Sequence, residues 1–299
     1  MSNLVLLGSI FVPTLLVLVG LLAWRWVRSL DKRRSPLTVQ FLNLPGEGLR
    51  KRIANHDDKF YEATAMAIAI GPIMLSTWLL ARLDKAGINW STLRFGAGDL
   101  IFAVTLITFL GWALWRLIHH ASKRRRALEG LNAELSVAHC LTPLIAEGAM
   151  VFHDFPADRY NIDHIVVARG VVFAIETKSR RKPGEKGKAS AQVRYDGRQL
   201  FFPKHVETKP IEQAAYQGKW LEQFLRNAGA QDVRVVPVLA LPGWYVESTK
   251  GRARPNVLVS NCTNAQFMLS EKFGPPMPER LRKHVAHILS ERYPSLELK

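Results

Sequence analysis

The sequence predicts a mixed α/β domain behind three transmembrane helices. Three observations carry this reading. Long apolar runs cover about 4–26, 63–83 and 99–118, each near the roughly 20 residues that a helix needs to cross a bilayer. Beyond residue 127, short β-branched runs alternate with amphipathic helical segments, the pattern of a sheet flanked by helices. Between them lies Asn161–Lys178, which reads as two strands around a turn at Arg169-Gly170 and carries two acids and a lysine.

The charge balance narrows the partners. The 299 residues hold 41 Lys/Arg against 25 Asp/Glu, a net charge of +16. Residues 123–299 keep 28 basic and 18 acidic residues, a net of +10, so the soluble part is basic in its own right. Such a charge favours nucleic acid or an anionic membrane face. Only Cys140 and Cys262 are present. Two distant cysteines form no disulfide framework, which points to a reducing compartment.

The first apolar run, from Leu4 to about Trp26, has no charge before Arg25. A signal peptide is the alternative, but it calls for a positive n-region and a small-residue cleavage site, and the sequence offers neither. Arg25, Arg28, Lys32, Arg33 and Arg34 follow the run and place that end in the cytoplasm by the positive-inside rule. The second run contains Gly71-Pro72, a kink signal. The third is followed by Lys123-Arg124-Arg125-Arg126, which returns the chain to the cytoplasm. The two basic flanks agree: N-terminus outside, C-terminal part inside, in a cytoplasmic (inner) membrane of bacterial type. The competing reading makes the runs at 63–83 and 100–118 a buried hairpin of a soluble protein.

The remainder divides into 128–272 and a C-terminal segment, 273–299, with an amphipathic helix from Pro278 to Arg292. Residues 128–147 favour a helix interrupted at Pro143. Residues 149–155 read as a strand. Asp196-Gly197 signals a hairpin between 192–195 and 199–202. Pro210 opens a helix that runs to about Asn227. Residues 233–241 and 257–260 are further strands, and Thr263 is placed to cap a short helix to Leu269.

The hairpin at 161–178 concentrates the chemistry. Alternation puts Asp163, Ile165 and Val167 on one face, and Val172, Ala174, Glu176 and Lys178 on one face of the return strand. A two- or four-residue loop centred on Arg169-Gly170 sets Asp163 opposite Glu176, with Cβ atoms about 4.5–5.5 Å apart; an odd-length loop separates them. Opposed carboxylates repel unless a cation lies between them. Lys178 follows on the same face, about 6.6 Å along the strand. Two acids and a lysine at a strand end suit a divalent-metal site with an adjacent charge stabiliser. The plain alternative is a salt bridge through Lys178 in an ordinary sheet.

Four segments in order resemble the NERD (nuclease-related) domain: Gly130-Leu131-Asn132-Ala133-Glu134, Ile162-Asp163-His164-Ile165-Val166-Val167, Glu176-Thr177-Lys178-Ser179 and Pro210-Ile211-Glu212-Gln213. The resemblance covers roughly 128–245. It departs at Asn161, where an acid is common, at Lys209, where Asn commonly precedes the proline, and in the longer basic insertion at 180–188. It implies a PD-(D/E)xK restriction-endonuclease-like mixed sheet flanked by helices. It further implies a nuclease hydrolysing phosphodiester bonds, of DNA in the first place, with Mg²⁺ or Mn²⁺. Asp163 and Glu176 would be the metal ligands and Lys178 would orient the nucleophile or stabilise charge. Glu134 and Gln213 match an accessory acid and a helix-borne glutamine. Glu134 also suits the N-terminus of a helix, and Gln213 a solvated helix face. His164 points away from Asp163, as a structural residue would. Arg180, Arg181, Lys182, Lys186 and Lys188 follow the site and are candidates for phosphate contact, or else form a solvated loop. His153, His205 and Cys262 lack zinc-ligand spacing.

Two other functions compete with hydrolysis: a membrane-tethered nucleic-acid-binding or sensor module without turnover, and a membrane protein whose basic loops meet anionic lipid. A pure binder has no need of opposed carboxylates facing a polyanion, which favours the enzyme.

Overall fold

A computed structural model describes residues 44–80, 96–184, 187, 189–248 and 256–293, together with 39–41, 296–298 and scattered positions between 19 and 30. The chain divides into two compact units, residues 1–36 with 53–125, and residues 37–52 with 126–299. Two long helices supply residues to both: α1 (Glu47–Leu80) and α2 (Ala97–Ala146).

In the first unit, α1 and α2 run antiparallel. Their contacts pass from His56–His120 (Nδ1–Nδ1 3.2 Å) and the Asp57–Arg124 ion pair, through Glu62–Arg116 (3.2 Å), to Trp78, whose Nε1 donates to Asp99 Oδ1 at 2.8 Å. Both helices are long and apolar enough to cross a membrane, with mean hydropathy of 1.2 and 1.9 over their most apolar stretches. Only 17% and 6% of those stretches are buried, whereas the core helix of a soluble protein hides its apolar side chains. Most of the expected span at 4–26, and residues 81–83 of the second, lie outside the described residues. The helices exceed the expected spans because Lys and Arg are good helix formers, so the basic runs beside the apolar stretches do not end them.

The expected break at Pro143 does not occur. Pro143 sits inside α2, three residues from its end, where a proline removes one hydrogen bond in the last turn and the preceding twenty helix-favouring residues outweigh that loss.

The second unit begins with a short strand, β1 (Val39–Phe41), paired antiparallel with Leu296–Leu298 near the chain's end. Its main sheet contains β2 (Met150–Pro156), β3 (Asn161–Val167), β4 (Val172–Thr177), β8 (Val235–Ala240) and β10 (Leu258–Ser260), in the order β10-β8-β4-β3-β2. β2, β3 and β4 are antiparallel; β4, β8 and β10 are parallel. A second sheet, ordered β7-β6-β5-β9, holds β5 (Gln192–Tyr195), β6 (Leu200–Phe201), β7 (Val206–Glu207) and β9 (Tyr245–Ser248). The Asp196-Gly197 turn joins β5 to β6 as its sequence predicts: Asp196 Oδ1 accepts from the amides of Arg198 and Gln199, both at 2.8 Å, and Gly197 takes φ +99°.

All six residues of β4 are buried, as expected of a strand covered on both faces. On one face Phe173 and Ile175 pack with Val137, Leu141 and Leu144 of α2. On the other, Val172 and Ala174 pack with Leu221 and Leu225 of α3 (Lys209–Asn227) and with Val285 and Leu289 of α4 (Glu279–Arg292). Helix α4 fills the part of 273–299 expected of it, Pro278–Arg292, to within one residue, whereas Asn264, not Thr263, caps the short 3-10 helix Ala265–Leu269 by accepting from the Gln266 amide.

The β3–β4 register places the site. His164 faces Ile175, Ile165 faces Ala174, Val166 faces Phe173 and Val167 faces Val172. The turn is closed by the Ala168 amide on the Val171 carbonyl at 3.0 Å. The ladder ends at His164–Ile175; Asp163 and Glu176 are the next residues on the two strands, and the Thr177 amide donates to the Asp163 side chain.

Helix α3 reaches the sheet through Gly218. A Cβ there would lie 2.8 Å from Pro237 Cβ on β8, a rigid neighbour. Gly218→Ala gains up to about 1 kcal/mol of helix propensity but overpacks this contact at about 1–3 kcal/mol. The variant is expected to melt below the wild type in a thermal scan of the purified full chain.

Candidate active site

Strand β4 ends at the site. Glu176 is 2% exposed, and a buried carboxylate needs partners on both oxygens. Lys178 Nζ donates to Oε1 in an ion pair. The second partner comes from α3: Gln217 Nε2 donates to Oε2 at 2.5 Å. Asp163 Oδ2 accepts from the Thr177 amide at 2.6 Å. The Lys178 amide bonds to the Ala240 carbonyl at 2.9 Å, which ties the segment to β8.

Asp163, Glu176, Thr177 and Lys178 line a cavity of about 880 Å³ with Glu134, Asp154, Arg52, Arg126, Arg159, Tyr160 and Gln213 on its walls. Its floor is acidic and its rim basic. Burial, then the charges of Asp154 and Glu176, push the Glu134 carboxyl up to about 7. Burial, then the charges of Glu176 and Glu134, hold Asp163 well above the usual carboxylate range. Neighbouring carboxylates thus raise the proton affinity of Glu134 and Asp163, as carboxylates sharing a site do. Among the described residues, no group of three or more His, Cys, Asp or Glu side chains converges to hold a metal ion. The oxygens nearest that role are those of Asp163 and Glu176, whose hard donors suit Mg²⁺ or Mn²⁺.

The structure brings together Glu134, Asp163, Glu176 and Lys178. Gln213 lines the cavity, but the glutamine that holds Glu176 is Gln217, one helical turn further on and 1% exposed. Its spacing from Gln213 was the available signal, since residues four apart share a helix face. Gln217 Oε1 and Thr177 Oγ1 are buried without a hydrogen-bond partner among the described residues.

Asp154 gave no such signal. It lies in β2 with φ +49°, and its oxygens accept from the Gly48 amide at 3.0 Å and Asn161 Nδ2 at 2.8 Å. Asn161, where an acid was the more familiar residue, therefore serves as a donor to a neighbouring acid.

Two arginines of the basic segment after the site pair with acids. Arg180 grips Glu207 with Nε and Nη2, at 2.8–3.0 Å. Arg181 Nε binds Glu129 at 2.7 Å. Both guanidiniums thus have a carboxylate partner in the chain itself. Lys182 is exposed, and Lys186 and Lys188 lie outside the described residues. Arg52, Arg126 and Arg159 are exposed and form no ion pair with a carboxylate among the described residues.

His164 is structural in its contacts. Its Nδ1 meets His153 Nδ1 at 2.8 Å, and burial drives its pKa down to about 3. Both rings are thus neutral at physiological pH, with one nitrogen donating and the other accepting.

Residues 129–242 match the family model described as nuclease-related domain, NERD. The match runs from α2 through β8 and spans the whole acid cluster. No curated protein and no solved structure matches the chain.

The raised Glu134 carboxyl has a pH signature. Between 4.5, its ordinary value, and about 7, the folded protein holds a proton that the unfolded chain has lost, so stability falls as pH rises through this window. In EDTA the melting temperature of the full chain is expected to drop across that range, and Glu134→Gln to flatten the drop. An unchanged pH profile in the variant would show that Glu134 does not titrate there.

Proposed function

We propose that the protein is a membrane-anchored, metal-dependent nuclease that hydrolyses phosphodiester bonds, of DNA in the first place, on the cytoplasmic side of the inner membrane. The observation that supports this reading is that Asp163 and Glu176, on adjacent strands, line one cavity, with Asp163 held by the Thr177 amide and Glu176 by Lys178, inside a stretch that matches the nuclease-related domain. An ordinary structural salt bridge has no use for a second, third and fourth acid around it.

The donor set fits a hard divalent cation. Asp163 and Glu176 would hold it, and when bound it supplies charge neutralisation of the phosphate and a lower pKa for an attacking water. The chain's own residues have separable tasks. Gln217 fixes the rotamer of Glu176. The Thr177 amide fixes Asp163. Lys178 carries the positive charge that meets negative charge developing on the phosphate. Glu134, with a carboxyl near neutrality, is suited to accept or return a proton at the cavity wall. Gln213 faces the same cavity and can orient substrate or water. The unpaired arginines of the rim, Arg52, Arg126 and Arg159, together with Lys182, supply sequence-independent attraction for a polyanion.

The full chain, purified in detergent with Mg²⁺ or Mn²⁺, is expected to cleave oligonucleotides, with DNA and RNA substrates compared side by side. Asp163→Ala, Glu176→Ala and Lys178→Ala should each lower the rate about 10²- to 10³-fold, and raising salt should weaken substrate binding steeply. Salt-dependent binding without cleavage would instead favour the non-catalytic binding or sensor module. For the topology, an alkaline phosphatase fusion at Gly98 should be active, because that position faces outward in the proposed arrangement; an inactive, stably expressed fusion would reverse it.

A further inference from the structure

An aromatic stripe runs along α3 at Tyr216, Trp220 and Phe224, spaced four apart and so on one helix face. Its far end belongs to the core. Phe224 stacks on Trp220 with centroids 5.3 Å apart and planes 3° apart, and packs against Phe155 at 6.2 Å. Trp220 is spoken for: its Nε1 donates to Asp158 at 2.8 Å, and Arg292 lies over its ring at 5.3 Å. The near end is not. Tyr216 is 61% exposed. Among the described residues its ring meets the ring of Tyr160 alone, at 5.7 Å, and Tyr160 also touches Trp220 at 6.2 Å. Tyr160 lines the acidic cavity next to Arg159 and across from Gln213, which sits one turn before Tyr216. The exposed end of the stripe thus adjoins the site.

A ring so exposed contributes little to packing, and the rest of the stripe is anchored without it. What it offers is a π-face backed by Tyr160, whose sequence neighbour Arg159 lines the same cavity. This combination of aromatic face and cationic rim matches unpaired bases on a sugar–phosphate strand. Stacking on aromatics contributes about 1–3 kcal/mol per base regardless of sequence. A duplex keeps its bases stacked inside and cannot use such a face without opening.

We infer that Tyr216, backed by Tyr160, is a base-stacking platform, and that the site takes nucleic acid with unpaired bases: a single strand, a frayed end or a flap. Arg159 holds the phosphate beside the stacked base. The inference rests on the nuclease reading for its substrate, and adds strand state and the residue that reads it.

The test is fluorescence anisotropy on the full chain in detergent, in a Glu176→Ala background that leaves Tyr216 untouched. The probes are a labelled 12-nucleotide single strand and its blunt duplex, each as DNA and as RNA. Tyr216→Ala should weaken single-strand binding about tenfold and leave duplex binding within about twofold, while Tyr216→Trp restores it. A change in both probes alike, or in neither, overturns the inference. Wild-type cleavage of nucleic acid that is indifferent to Tyr216→Ala overturns it while leaving the nuclease reading intact. Failure of the wild-type chain to bind or cleave any probe overturns both. The DNA and RNA arms decide which sugar the platform accepts.

Discussion

A buried carboxyl group at the end of a fully buried strand sets the terms for this fold. Glu176 cannot stay at 2% exposure without partners, and its partners come from two directions: Lys178 from its own strand and Gln217 from α3. To deliver Gln217, the helix must lie close to the sheet, and Gly218 is where the backbone can approach Pro237. To hold Lys178 in place, β4 must continue its parallel pairing with β8 through Ala240. The antiparallel neighbour β3 then brings a second acid alongside. Polar satisfaction, helix docking and strand order are thus linked through one side chain, which explains how a site with so many carboxyl groups can sit in a well-packed core.

Local periodicity made much of this legible. The hairpin register followed from a two-residue turn and from alternation, because side chains on a strand repeat with period two and a slip would invert every face. The Asp196-Gly197 turn and the Pro210 helix start were equally local. The reading ran out where a residue's partner lies far along the chain. Arg180 and Arg181 looked like free cations because Glu207 and Glu129 stand 27 and 52 residues away. Gln213 and Gln217 share a helix face, and only the depth of docking decides which reaches Glu176. Asp154 adopts a left-handed conformation that no pattern at residues 150–156 announces. Pro143 shows the opposite case, a strong local rule overridden by a long favourable helix on one side of it.

The basic character of the protein also looks different in three dimensions. Some of the positive charge near the cavity is spent internally, in pairs with Glu207 and Glu129. What remains on the rim comes from residues distant in sequence, Arg52, Arg126 and Arg159. A single basic loop was the natural suspect on the sequence, yet the uncommitted guanidiniums are contributed by three separate elements. Charge counted along a chain measures attraction for polyanions well and locates it poorly.

The bond from the Gly48 amide to Asp154 has a consequence for how the α/β unit may be isolated. Residues 37–52 precede the apolar part of α1, yet they belong to the compact unit that begins again at residue 126. Leu49 approaches Gly130, Gly46 lies against Leu131, and Arg52 faces the cavity. The globular part is therefore discontinuous in sequence, with the described membrane-length stretches inserted into it. A soluble fragment cut at residue 128 would leave Asp154 short of a donor and strip one wall from the cavity. A faithful soluble version would instead need 37–52 rejoined to 126–299 by a designed linker, in the manner of a domain from which an insertion has been excised.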